Sequence, residues 1–210
     1  MDKVNQSLME KRNKKSRFDV VFTFVIFVVI IMMTVLIILN KFVFLNVYVE
    51  GSSMSPTLSS GDVLFVNQTT DVEVGDIIVI KGEKADNSWI IKRVIAVGKK
   101  DKTVIVEIKE GKVYVGESET ELYPIIEPYL PDGRQTNVVQ GGQSRWELNE
   151  NEIFYLGDNR SNSRDSRDNG CCEKNQVVGV VRDWALRVRW LSGFMFSVGE
   201  FFGGIFRGGQ

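Results

Sequence analysis

The run from Val20 to Leu39 constrains this chain more than any other stretch. It is apolar apart from Thr23 and Thr34, and it holds no charge, proline or glycine. As a helix, about 20 such residues extend ~30 Å, the hydrocarbon thickness of a bilayer. A core helix of a soluble domain shows one apolar stripe, whereas this run is apolar on every side. A cleaved secretory leader would be shorter and followed by a small-x-small site. Here Lys41-Phe42-Val43-Phe44-Leu45 follows instead. The run therefore reads as an uncleaved transmembrane helix over 20–40. Lys3, Lys11, Arg12, Lys14, Lys15 and Arg17 precede it, against Asp2, Glu10 and Asp19, and Lys41 is the only base close behind it. The positive-inside bias then predicts a cytoplasmic basic arm over 1–19 and an extracytoplasmic domain from residue 43 onward.

Composition narrows the chemistry open to that outer domain. The 210 residues include no histidine, which removes Ser-His-Asp and Cys-His catalysis and histidine-ligated metals together. The only cysteines are the adjacent pair Cys171 and Cys172, so a four-thiolate metal site is excluded. Neighbouring cysteines rarely bridge each other because the geometry is strained, and these two read as loop residues. The net charge of -1 argues against nucleic acid as a partner.

Past Val43 the apolar pattern shortens. Val47-Tyr48-Val49, Val63 to Val66, Ile77 to Ile80, Ile90-Ile91, Val94 to Val97, Val104 to Ile108 and Val113 to Val115 are brief and rich in branched residues. Gly61-Asp62, Gly75-Asp76, Gly82, Gly98 and Glu110-Gly111 punctuate them. Such spacing predicts a mainly β, antiparallel domain over 43–190. Glu107 to Val113 reads as a hairpin. From about 117 to 146 the pattern weakens around Pro124, Pro128 and Pro131-Asp132-Gly133, which predicts a loop-rich insertion. Ile153 to Leu156 and Val177 to Val181 read as returning strands, and there is no internal repeat.

Three segments carry candidate chemistry. Gly51-Ser52-Ser53-Met54-Ser55-Pro56-Thr57-Leu58 follows the first strand; taken alone, it is equally a proline turn whose serines bond the backbone. Ile90-Ile91-Lys92-Arg93-Val94-Ile95 sets two bases inside a branched apolar run. Strand alternation puts one of them on the inner face, unless the lysine snorkels out at an edge. Gly157 to Arg167 is a polar run directly behind an apolar strand. It is not a calcium loop, because Arg160 stands where an oxygen ligand is needed.

Together, in this order and behind an anchor, these segments resemble the bacterial type I signal peptidases. Ser53-Met54-x-Pro56-Thr57 is similar to the family's nucleophile box, and Lys92-Arg93-Val94-Ile95 to its lysine box. Gly157-Asp158-Asn159-Arg160-x-Asn162-Ser163-x-Asp165-Ser166-Arg167 is similar to its third box. Gly75-Asp76-Ile77-Ile78 and Glu127-Pro128-Tyr129-Leu130 resemble two further stretches. The likeness runs from about residue 20 to 182. It departs at Ala96-Val97-Gly98-Lys99-Lys100, where the family continues Gly-x-Pro-Gly-Asp, and at Asn169, where an aromatic is common.

The resemblance implies a signal-peptidase-like β fold and a serine endopeptidase with a Ser–Lys dyad, needing no cofactor or metal. Ser53 would be the nucleophile and Lys92 the general base. A lysine at its ordinary pKa of about 10.4 is only ~0.04 % neutral at pH 7, so burial among Ile90, Ile91, Val94 and Ile95 would have to lower it. Ser163 would hydrogen-bond the Lys92 amine, and Asp165 with Arg167 would form a supporting ion pair. The Ser53 N–H would face the oxyanion, with the second donor open and Ser52 a candidate. Gly51, Met54, Leu58 and Ile91 would bind substrate, the last three lining a shallow pocket for alanine. The substrates implied are exported preproteins cut after small-x-small sites, with the bilayer and the secretion translocon as partners. Ser53 lies thirteen residues beyond Asn40, so the chain keeps it within about 45 Å of a bilayer.

Other readings are weaker. Self-cleaving Ser–Lys repressors carry a DNA-binding head where this chain has an apolar helix. The endoplasmic-reticulum relatives use a histidine that is missing here. An inactive relative serving pilus assembly or secretion would be expected to lack Ser53 or Lys92. The tail over 191–210 places Trp190, Phe194, Val198, Phe201 and Ile205 at helical spacing, but it includes Glu200 and several glycines and is short for a span. It reads as a membrane-interfacial segment.

Overall fold

The computed structural model describes residues 18–35, 44–68, 71–82, 88–190, 192–194 and 197. The basic arm over 1–17, the end of the expected span at 36–40 and the tail beyond residue 197 lie outside the described residues. The chain divides into two units, Met1–Val43 and Phe44–Gln210.

In the first unit, Phe18–Val35 forms helix α1, long and apolar enough to cross a membrane. Its only side-chain hydroxyls bond back to carbonyls one turn earlier, Thr23 to Asp19 and Thr34 to Ile30, each at 2.8 Å. Neither hydroxyl therefore needs water as a partner.

The second unit is antiparallel β throughout. Its strands are β1 (Phe44–Tyr48), β2 (Val63–Asn67), β3 (Ile77–Lys81), β4 (Trp89–Val97), β5 (Val104–Lys109), β6 (Lys112–Gly116), β7 (Leu122–Pro124), β8 (Arg145–Leu148), β9 (Glu152–Leu156), β10 (Cys172–Glu173) and β11 (Val177–Val181). A seven-stranded sheet runs in the order β1-β2-β11-β3-β4-β9-β10, and a four-stranded sheet in the order β7-β6-β5-β8. Its helices among the described residues include α2 (Ser166–Asn169) and α3 (Asp183–Arg187).

Branched residues form these strands because their stiff side chains pack well on a pleated surface. Ile77, Ile78, Val79 and Ile80 are all buried, so β3 is covered on both faces. Glu110 and Gly111 both take positive φ, 52° and 75°, which suits a two-residue turn between β5 and β6. Ile95, Ala96, Phe154 and Leu156 of the large sheet share one core with Val106, Ile108, Trp146 and Leu148 of the small one. The Trp146 and Phe154 rings meet there at 4.8 Å.

Three sequence expectations change. Ile90-Ile91 and Val94 to Val97 belong to one nine-residue strand, with a bulge in its pairing to β9 between Val94 and Ala96. The insertion over 117–146 holds β7 and the first residues of β8, whose short polar-faced pattern carries a weak periodic signal. Cys172 is a buried strand residue pairing across from Ile153, rather than part of a loop.

Candidate active site

The loop after β1 is held open for Ser53 by what lies beneath it. Gly51 adopts φ 85°, a left-handed conformation that a side chain would strain. Just beyond Ser53, Met54 and Leu58 drop into the core under the loop, 2 % and 0 % exposed, and Leu58 N donates to Met54 O at 2.9 Å. With Met54 and Leu58 buried and its start fixed by glycine, Ser53 sits half-buried at the surface of the turn.

Lys92 approaches from β4. It lies opposite Ile78 on β3, and its side chain is buried with only 4 % exposed. Nζ donates to Ser53 Oγ at 3.0 Å and to Ile91 O at 2.9 Å. Burial pushes its pKa down to about 8, against a smaller upward pull from the Asp165 carboxylate. At pH 7 about a tenth of such an amine is neutral, some two hundred times the share of an ordinary lysine.

The loop from Gly157 to Arg167 binds the other two pieces together. Asn159 N donates to Ser53 O at 2.9 Å, Asn159 Nδ2 to Ser52 O at 3.0 Å, and Asn162 Nδ2 to Ser52 Oγ at 3.0 Å. Asp158 accepts Arg93 Nε and Nη2 at 2.8 and 2.7 Å and Thr57 Oγ1 at 2.5 Å. One buried carboxylate thus ties the serine loop to the lysine strand. Arg93 also donates to Gly75 O at 2.9 Å and lies 3.9 Å from the centre of the Tyr129 ring. Arg160, fully buried, pairs with Glu127 and so docks the insertion onto the same loop. Asp165 caps α2, accepts Gly157 N at 3.0 Å and takes a two-pronged bond from Arg167.

Three findings differ from the sequence expectations. Lys92 and Arg93 are both buried rather than one inward and one outward, because β4 has packing on both faces. Ser163 does not hydrogen-bond Lys92: the amine's bonds go to Ser53 and Ile91, and Ser163 Oγ is buried without a partner. Ser163 is nonetheless close by, since a Cβ on Gly157 would fall 2.1 Å from Ser163 Oγ and 2.5 Å from Ser53 O. Leu58 lines no cleft but is enclosed in the core, whereas Gly51, Met54 and Ile91 line one. The Arg93–Asp158 pair and the Asn159 and Asn162 clamps were not singled out beforehand. Their residues sit in recognisable segments, but no local pattern says which distant group each one meets.

Two clefts open beside Ser53 and Lys92. The first, about 410 Å³, runs between the end of β1 with Glu50, Gly51 and Met54 and the segment Ser88 to Lys92. Along it the backbone of β4 from Trp89 to Lys92 is paired only to β3, since β9 pairs from Arg93 onward. The second, about 540 Å³, is walled by Lys81, Tyr155, Arg164 and Asn169. Cys171 and Cys172 also line it, and burial pushes both thiols up to about 12, so they stand protonated and unreactive at neutral pH. No group of three or more acidic or cysteine side chains able to hold a metal occurs among the described residues.

A serine hydroxyl bonded to a buried amine of lowered basicity, beside an unpaired strand edge, is the equipment of a serine peptidase that reads extended chain. Comparison with known proteins gives the same class. The family described as signal peptidase, peptidase S26, matches residues 17–185. A signal peptidase I of Bacillus amyloliquefaciens is 34% identical over 164 residues, covering 73% of this chain and 80% of that protein. One from Bacillus caldolyticus is 36% identical over 162 residues, covering 71% and 84%. A crystal structure of a signal peptidase I from Enterococcus faecalis V583 gives a TM-score of 0.40 at 21% identity, covering 54% of this chain and 98% of that one. The chain belongs to the signal peptidase family, peptidase S26, and is a serine peptidase.

Proposed function

We propose that this chain removes N-terminal signal peptides from exported preproteins, cutting after small-x-small sites with Ser53 as nucleophile and Lys92 as general base. The observation that carries the reading is the 3.0 Å approach of Lys92 Nζ to Ser53 Oγ in a pocket that lowers the amine's pKa. In the reactive form the neutral amine accepts the Ser53 O–H proton while Oγ bonds to the scissile carbonyl carbon. The carbonyl oxygen takes the negative charge, next to the Ser53 backbone N–H. When the C–N bond breaks, the Lys92 ammonium returns the proton to the leaving amine. Water then attacks the ester, giving a proton to Lys92 and leaving a carboxylic acid and a restored Ser53 hydroxyl.

Positioning falls to the residues around the pair. Asp165 with Arg167 and Asp158 with Arg93 hold the loops, and Ser163, whose Oγ is buried without a partner, would orient the amine by turning its hydroxyl toward Nζ. The signal peptide lies in the first cleft as an added strand along Trp89 to Lys92. Met54 and Ile91 bound the space beside Ser53 and leave room for a small side chain. A membrane span over 20–40, to which helix α1 belongs, anchors the chain in the bilayer, with the arm over 1–19 cytoplasmic and the domain over 43–190 outside, near the translocon. The tail over 191–210 lies on the membrane surface. Incubating the detergent-solubilised chain with a preprotein, and sequencing the new N-terminus, tests the reading. Cleavage directly after a small-x-small site, lost in Ser53→Ala, supports it; an intact preprotein, or equal cleavage by Ser53→Ala, overturns it.

A further inference from the structure

In the reading above the signal peptide occupies the first cleft and leaves the second one free. It shares Ser53, Ser88, Ile90 and Lys92 with the first, but Gly51, Met54 and Ile91 belong to the first alone. The acyl part of the substrate, bonded to Ser53 Oγ, occupies the first cleft in the reading above. The other product begins at the amine that Lys92 must protonate. A general acid acts only on an atom within hydrogen-bond reach, so the chain following the scissile bond has to pass Lys92. The cleft with Lys92 in its wall and without the pocket residues is the one open to it.

The charged side chains that line that cleft among the described residues are all basic. Lys81 and Arg164 stand in its wall together with Lys92, and no carboxylate lines it among the described residues. Both side chains are exposed, and neither pairs with a carboxylate among the described residues. The protonated thiols add no negative charge. Asn169 and Gln176 supply neutral amide groups able to bond an extended backbone.

Resting on the peptidase reading above, we propose that this second cleft receives the first residues of the mature protein, and that Lys81 and Arg164 make it favour acidic side chains there. The occupant is the segment immediately after the cut, and the selectivity is electrostatic.

Three peptides with the same small-x-small leader, carrying Glu, Gln or Lys at the second and third positions after the bond, test it through kcat/KM. Two exposed charge pairs each contribute modestly, so the Glu peptide is expected to exceed the Lys peptide about three- to ten-fold. High salt should compress the ratio. The Lys81→Gln/Arg164→Gln double variant should bring it close to one, and Arg164→Glu should turn it toward the Lys peptide. Equal rates for the three peptides in the unmodified chain, or a preference that survives the double variant, overturn the proposal. The Gln peptide separates the two levels. If it is cut by the unmodified chain and spared by Ser53→Ala, the peptidase reading stands whatever the charge ratio shows. If it is not cut, both fall.

Discussion

Arg93 meets Asp158 across 65 residues of sequence with two parallel hydrogen bonds, 2.8 and 2.7 Å long, both partners buried. The pair joins the strand that carries Lys92 to the loop that clamps Ser53. The arrangement of Ser53 and Lys92 therefore rests on an ion pair formed by neither of them.

Removing one partner of such a pair leaves the other charge buried and uncompensated. Asp158→Ala should cost about 3–5 kcal/mol of folding stability. Urea unfolding at neutral pH measures it. Asp158→Asn, which keeps one acceptor oxygen for Arg93 and Thr57, should lose less.

The depressed pKa of Lys92 fixes the sign of the pH response. The base is the neutral amine, so kcat/KM for a neutral peptide should climb about tenfold per unit below the pKa and level off as pH passes about 8. Asp165 pulls that pKa upward. Asp165→Asn should therefore move the acid limb to lower pH, besides destabilising the loop. A limb that moved upward, or stayed in place, would contradict this.

The same burial penalises the folded state. With the folded pKa near 8 and the unfolded one near 10.4, the unfolded chain binds more protons between these values, so stability rises with pH across that window. Below it the penalty is fully present. Lys92→Met removes the penalty and should leave the thermal midpoint at pH 7 unchanged or higher while cleavage is abolished. Lys92→Arg should be inactive too, because a guanidinium stays protonated.

Gly157 has no space for a side chain. A methyl there would overlap Ser163 Oγ at 2.1 Å and Ser53 O at 2.5 Å. Gly157→Ala should cost about 1–3 kcal/mol by overpacking and lower kcat at least 100-fold by displacing the nucleophile's loop. Scanning calorimetry with peptide turnover separates the two effects.

Ser163 Oγ is buried without a hydrogen bond, so its loss should not lower stability. If the hydroxyl turns to Lys92 during the reaction, Ser163→Ala should reduce kcat by less than loss of Ser53 or Lys92 does, with KM little changed. Unaltered kcat would assign the hydroxyl to packing alone.

The strands were readable where their residues are branched and closely spaced, as in Val63 to Val66 and Ile77 to Ile80. They were not readable in the insertion, where β7 ends on a proline and β8 alternates charged and apolar residues. Ser53, Lys92 and the third polar segment were recognisable by their order along the chain. The error at Leu58 has a plain cause: a leucine one turn after Met54 can face the cleft or the core, and only the packing beneath the loop selects the core.

By itself, the sequence determined an apolar helix near the N-terminus, an antiparallel β domain and a serine–lysine pairing in a chain with no histidine. Periodicity, the hydrophobic demand of a bilayer and side-chain chemistry are local properties, so one strand of text contains them. Tertiary structure alone decided that Lys92 and Arg93 are both enclosed, that Asp158 rather than another carboxylate holds Arg93, and that Ser163 stands beside Gly157 without touching the amine. Each of those outcomes depends on which surfaces, tens of residues apart in sequence, close over one another and exclude water. That closure also lowers the Lys92 pKa, because an ammonium loses its hydration only when the whole of its surroundings has folded around it.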